Sequence, residues 1–184
     1  MTVNCINYNC DDLQPHTLNA DCGDPLLGGL SDAVIFDCDH QVTDFTNGTQ
    51  INAEIAASRA WLVENIKVGI NAASPVEIDS LKACGTQTLV NYDRSGTWTD
   101  GNVNNFNIAD FYNPLFRGRT AGAMILRECG NPNSKVTLID SEIGFRGDRI
   151  VPDNNNELQR FEATFTWKSK DMPTQINEPV GVFS

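Results

Sequence analysis

The clearest periodicity in the chain lies near its C-terminal end, where Phe161, Ala163, Phe165 and Trp167 alternate with Glu162, Thr164, Thr166 and Lys168. A period of two puts successive side chains on opposite faces of a strand. This stretch therefore predicts a strand with one buried and one wetted face, with Phe161, Phe165 and Trp167 in the core. Ala33-Val34-Ile35-Phe36 is a short unbroken apolar run ended by Asp37-Cys38-Asp39, which suits a strand buried on both faces. Leu62, Glu64, Ile66, Val68 and Ile70 mostly alternate with small or polar residues and predict a strand over 60–72. Just before it, residues 51–60 are ambiguous, although Ile51 and Ile55 fit a helix.

The second half carries more turn chemistry. Gln87–Tyr92 reads as a strand followed by a Ser95-Gly96 turn. Asn107 suits a helix N-cap with Asp110 three positions on, and Ile108, Phe111, Tyr112 and Leu115 then share one helical face, limited by Pro114. Ala121–Glu128 and Lys135–Phe145 read as strands, and Asp153–Asn156 as a polar loop. The expected fold is mostly β: an antiparallel sandwich or barrel over residues 31–171 with one short helix. Residues 1–30, rich in Asn, Asp, Gly and Pro, read as an irregular N-terminal arm. Residues 172–184, with Pro173 and Pro179, read as an extended C-terminal arm docked on the surface.

Composition adds one asymmetry. No Lys or Arg precedes Arg59, while nine of the 24 acids do, so most of the net charge of −11 sits in roughly the first third. A cation-free acidic segment repels nucleic-acid phosphates and anionic membranes. It allows an acidic wall past which DNA slides without sticking. The asymmetry also suits head-to-tail or ring assembly, in which opposite charges set register. A length of 184 residues supports one sizeable core. The start of the chain shows no basic-then-apolar leader, and no apolar run approaches the ~18 residues of a membrane span, so a soluble protein made in a cytoplasm is expected.

Candidate chemistry is sparse. His16 and His40 are the histidines, and no Gly-x-Ser-x-Gly elbow or phosphate-cradling glycine loop accompanies them, so an enzyme is not expected and no cofactor is implied. Cys5, Cys10, Cys22 and Cys38 with His16 and His40 could form a zinc-binding interaction module. The spacing lacks the paired ligands two to four residues apart that structural zinc sites use, and reduced cysteines acting as small buried hydrophobes fit better. Asp93-Arg94-Ser95-Gly96 reads as an Asx-rich turn, and Arg146-Gly147-Asp148 as a turn between strands.

The block from Cys22 through Gly23-Asp24-Pro25-Leu26-Leu27-Gly28-Gly29 into Ala33-Val34-Ile35-Phe36 resembles the opening of structural proteins from phages of Bacteroidetes hosts. Tyr92 through Asp100, the Phe111-Tyr112-Asn113 helix and the ending Glu157 through Trp167 followed by Pro173 resemble the same group. The order of elements is similar to that of phage tail tube proteins. That resemblance implies a virion protein of the tail, assembled in the host cytoplasm. Six copies would form a ring, and rings would stack into a tube with an acidic lumen through which genomic DNA passes without specific binding. Partners would be further copies and other virion proteins, with no membrane and no catalytic residue. Asp37, Asp39 and Asp44 are the acids assigned to the lumen. The long N-terminal arm departs from the simplest tail tube pattern and leaves a head–tail connector or capsid decoration protein as alternatives.

Overall fold

The computed structural model describes residues 29–76, 91–104, 107–118, 120–128, 134–153 and 158–183. Residues 1–28 of the expected N-terminal arm, 87–90 of the strand expected at Gln87–Tyr92 and 154–156 of the expected polar loop lie outside the described residues, and Leu30, expected to end the arm, already belongs to the first strand. The fold is mostly antiparallel β: β1 (Leu30–Phe36), β2 (Ala60–Val63), β3 (Ile66–Ile70), β4 (Ser74–Val76), β5 (Asn91–Asp100), β6 (Thr120–Ala121), β7 (Ala123–Glu128), β8 (Lys135–Ile139), β9 (Ile143–Ile150), β10 (Arg160–Ser169) and β11 (Thr174–Asn177). Helix α1 spans Gly48–Ala56. A π-helical segment, Asn107–Tyr112, runs into α2, Asn113–Phe116.

The hydrogen-bonded order is β11-β8-β7-β1-β3-β5-β10-β9-β6, with β2 on β1 and β4 on β5. β6 and β7 are separated only by Gly122, so the path from β7 through β1, β3, β5, β10 and β9 returns to its own strand and closes a barrel. Closure is made by courses that bend from one sheet into the next. β2 and β3 are one course along β1, interrupted at Glu64-Asn65, where Asn65 has φ 60° and its N–H donates to Asp32 Oδ1 at 3.2 Å. β8 and β9 are likewise interrupted at residues 140–142. The strands expected over 60–72, Ala121–Glu128 and Lys135–Phe145 are therefore each broken once, at the corner where the course changes sheets.

Two cores result. Inside the barrel, Ala33 and Ile35 of β1, Met124 and Leu126 of β7, Trp98 of β5 and Phe161, Phe165 and Trp167 of β10 pack together. The alternate residues of the same wall, Val34 and Phe36 of β1 and Ala123 and Ile125 of β7, face a second layer with Ile51 of α1, Val182 and Phe183. β1 and β7 are thus covered on both faces, which is why Ala33–Phe36 carries no polar residue, whereas β10 keeps its other face wet and alternates. Phe161, Phe165 and Trp167 are buried as expected.

The Asp100 end of the barrel is plugged by the π-helical segment. Tyr112 stacks on Phe161 with ring centroids 4.0 Å apart, and its hydroxyl donates to Asp100 Oδ2 at 2.5 Å while accepting from Trp98 Nε1 at 3.2 Å. Burial and the Asp100 carboxylate push the Tyr112 phenol well above its usual 10. Phe111, Tyr112 and Leu115 are buried as the helical face requires. Asn107 is not the cap. Its own N–H is received by Asn104 Oδ1 at 2.8 Å, and its buried side chain donates to the Asn102 carbonyl.

Three further expectations are corrected. Asp93 through Gly96 is strand within β5, and Arg146-Gly147-Asp148 is strand within β9, so neither is a turn. The C-terminal segment is not a surface-docked arm throughout: β11 extends the sheet beside β8, and Val182 and Phe183 close the second core.

Candidate functional site

The acids assigned to a lumen come together on the connection from β1 to α1. This connection is held down by its own polar groups. Asp37 N–H donates to the Arg59 carbonyl at 2.8 Å, and Gln41 N–H donates to Glu54 Oε2 at 3.1 Å. The Gln50 side-chain oxygen receives the N–H groups of Thr43 and Asp44 at 3.1 and 3.3 Å. Asn47 caps α1 by accepting from the N–H groups of Thr49 and Gln50, a role Asn plays well because its short amide reaches back to the orphan donors of the first turn.

Within this loop the three acids part ways. Asp37 is 2% exposed, and its Oδ1 receives the Cys38 N–H at 2.6 Å. It therefore offers no carboxylate to a lumen, and that assignment is corrected. Asp39 and Asp44 are exposed. Asp44 Oδ1 accepts from the N–H and hydroxyl of Thr46 at 2.9 and 2.6 Å, which holds its carboxyl below the usual range.

Other acids of the cation-free segment are also structural. Asp32, 2% exposed, pairs with Arg127 at 3.3 Å. Glu54, 5% exposed, receives both the Nε and a terminal nitrogen of Arg59 at 2.8 Å, a bidentate pair that lowers its pKa and raises that of Arg59. The first cation in the sequence thus neutralises an acid of the segment it ends. Among the described residues before Arg59, Asp39 and Asp44 are the acids left on the surface.

No known protein family, curated protein or solved structure matches the chain.

His40 sits in an aromatic cluster, its ring 5.4 Å from Phe36 and 5.6 Å from Phe45, and its Nδ1 is buried without a hydrogen-bond partner among the described residues. Burial lowers its pKa below 6.5, and Asp140, Glu54, Asp37 and Asp39 only partly oppose this. Cys38 is disulfide-bonded to a partner outside the described residues, which corrects the expectation of a reduced thiol at this position. Its Sγ lies 3.1 Å from the Thr120 carbonyl oxygen, a contact rather than a hydrogen bond because a disulfide sulfur carries no proton. Cys38 is therefore not available as a thiolate, and the zinc module loses one of its ligands. Cys5, Cys10, Cys22 and His16 lie outside the described residues. Among the described residues no cluster of three His, Cys, Asp or Glu side chains is placed to hold a metal.

Proposed function

We propose that the chain is a structural virion protein, a tail tube subunit whose copies form hexameric rings that stack around a conduit for DNA. The resemblance of its sequence blocks and element order to tail tube proteins supplies the tail. The observation that supports self-assembly is the edge strand β11, which pairs with β8 on one side and, among the described residues, with nothing on the other. An unpaired edge presents a row of backbone donors and acceptors that a strand from a second copy can complete.

The register says which groups are on offer. Glu178 N–H donates to the Ser134 carbonyl, and the pairs Ile176 with Val136 and Thr174 with Leu138 lie two and four residues along the same ladder. Hydrogen-bonded pairs alternate in antiparallel strands. The N–H groups of Thr174 and Ile176 therefore point to β8, and those of Gln175 and Asn177 point to the open edge. Of the three acids assigned to a lumen, Asp39 and Asp44 are exposed and remain available for that role, and screening to about 8 Å at physiological salt means they must line its wall to act on DNA.

The test is negative-stain imaging with light scattering on the wild type and on Gln175→Pro. Proline at 175 removes an outward donor and leaves the β8 ladder intact. Rings or stacked tubes in the wild type that are lost in Gln175→Pro, with the monomer still folded, support the reading. Persistent monomers at high concentration would remove it, and isolated trimers would favour a decoration protein.

A further inference from the structure

Strand β9 carries two glycines, and the fold accounts for one of them. A β-carbon on Gly147 would lie 2.4 Å from the Glu162 carbonyl oxygen and 2.5 Å from the Ala163 β-carbon. A β-carbon on Gly144 would meet nothing nearer than Thr166 Oγ1, 3.8 Å away, among the described residues, and its φ is not positive. Glycine weakens a strand interior. Where neither crowding nor a turn requires it, it marks a place that another group approaches closely.

The register shows what surrounds this gap. Gly144 lies opposite Thr166 of β10 and Thr120 of β6, and Arg146 lies opposite Thr164. Ile143, Phe145, Phe165 and Trp167, which alternate with these residues, fill the barrel core, so Gly144, Arg146, Thr164 and Thr166 share the outer face. A groove of about 690 Å³ lies over that face, bordered by Phe116 and Arg117 at the end of α2. Arg117, Arg146, Thr164 and Thr166 are exposed. The two arginines make no ion pair among the described residues, and no acid among them lines the groove. In a chain of net charge −11 this is a local reversal of sign.

The surroundings limit the guest. Asp148 and Glu162 face each other one step along the same outer face, beyond Arg146 and Thr164. In the other direction, Asp93 and Glu142 line the next cleft, beyond Thr166. An extended polyanion laid along the face would meet these acids, whereas a single compact anion sits between them. Two guanidinium forks match the charge and the several oxygens of a phosphate dianion, and the threonine hydroxyls add further donors. A groove of this size has room for an organic group beside the phosphate, and half-buried Phe116 gives that group an apolar wall.

We propose that this groove binds a small phosphate monoester, with Arg117 and Arg146 as its anchoring groups and Gly144 as the opening in its floor. The site rests on the outer face of β9 and β10 and stands whether or not the protein forms rings.

The experiment is equilibrium dialysis of the full-length protein against phenyl phosphate and benzoate as separate probes. Saturable uptake of phenyl phosphate is expected, with benzoate at least about tenfold weaker. Arg146→Lys, which keeps the charge but loses the fork, should weaken phenyl phosphate binding by about tenfold or more. Gly144→Val places a side chain that suits a strand where a β-carbon has room. It should abolish saturable uptake while leaving the urea midpoint at or above that of the wild type. A short DNA duplex should not displace phenyl phosphate, because the flanking acids repel it. A wild type that takes up no phenyl phosphate saturably, or binds benzoate as tightly, overturns the site without reference to any variant. Equal affinity in a folded Gly144→Val moves the binding out of the groove, and equal affinity in a folded Arg146→Lys removes that residue as an anchor. Displacement by the duplex would assign the groove to a nucleic-acid backbone and overturn the small-molecule reading.

Discussion

Gly96 faces Phe165 directly across the β5–β10 pair, and a β-carbon on Gly96 would lie 2.1 Å from Cζ of Phe165 and 2.5 Å from the Gly69 carbonyl oxygen. The ring could swing away, but the carbonyl belongs to the neighbouring strand and cannot. Gly96→Ala is therefore expected to cost stability at the upper end of the about 1–3 kcal/mol typical of overpacking. Phe165→Ala, which empties a fully buried site, is expected to cost about 3–5 kcal/mol. Because the Gly69 carbonyl remains, adding Phe165→Leu should not rescue Gly96→Ala. Urea denaturation of the two single variants and the pair measures this, and full rescue would show that the ring alone sets the constraint.

Acid should act on this protein in two separate windows. His40 is held below its usual 6.5 by burial, so the unfolded chain binds its proton more readily than the folded one. Its effect is absent above that value, and stability falls as the pH descends through 6.5 toward the lower folded-state pKa. Glu54 is held below its usual 4.5 by Arg59, so its contribution is present above 4.5 and is lost as the pH falls below it toward the folded-state value. His40→Phe, which keeps an aromatic ring beside Phe36 and Phe45, should flatten the first decline and leave the second. Denaturation midpoints measured from neutral pH downward check this. An unchanged slope in the upper window would assign that decline to another group.

The plug at the Asp100 end should depend on one hydroxyl. Tyr112→Phe keeps the stack on Phe161 but takes a donor from buried Asp100 and an acceptor from Trp98. A loss of about 1.5–3 kcal/mol is expected, the range for hydrogen bonds to charged groups. Equilibrium unfolding monitored by tryptophan fluorescence reads both the stability and the altered surroundings of Trp98. A loss near zero would mean that another donor takes over at Asp100.

Removing residues 172–184 should do more than impair assembly. The cut deletes β11 and takes Val182 and Phe183 out of the second core, where the Phe183 ring also lies 5.2 Å under the Arg127 guanidinium. Phe183→Ala alone is expected to cost about 3 kcal/mol, and the truncated chain should unfold well before the wild type. Calorimetry on both decides the matter. A truncated chain as stable as the wild type would return these residues to the status of a removable arm.

How far the sequence could be read depended on what each residue was answering to. Alternation at Phe161–Trp167 and the apolar run at Ala33–Phe36 report burial on one face or two, and burial is what those strands have. The corners at Glu64-Asn65, Gly122 and residues 140–142 were not legible, because a course that changes sheets keeps its apolar pattern on both sides of the bend. Ser95-Gly96 and Arg146-Gly147-Asp148 misled for a shared reason. Gly96 and Gly147 flank β10 on its two sides, opposite Phe165 and Ala163, and a β-carbon would strike the Phe165 ring and the Gly69 carbonyl at the first and Ala163 and the Glu162 carbonyl at the second. At the acidic loop, composition counted charges but could not tell Asp39 from Asp37, because that difference lies in the backbone N–H of Cys38 and the carbonyl of Arg59.

The wall formed by β1 and β7 has a mechanical consequence. A layer stacked on a finished domain can be peeled from it along the plane where the two meet. Here no such plane exists, because the strands that floor the second layer are the same strands that line the barrel. Force applied to a neighbour paired along β11 would pass through β8 into β7, and from there into the hydrogen bonds that close the barrel. A chain folded in this way has no sacrificial outer layer. It holds as a whole or yields as a whole, and under tension it should give a single rupture event rather than a staircase.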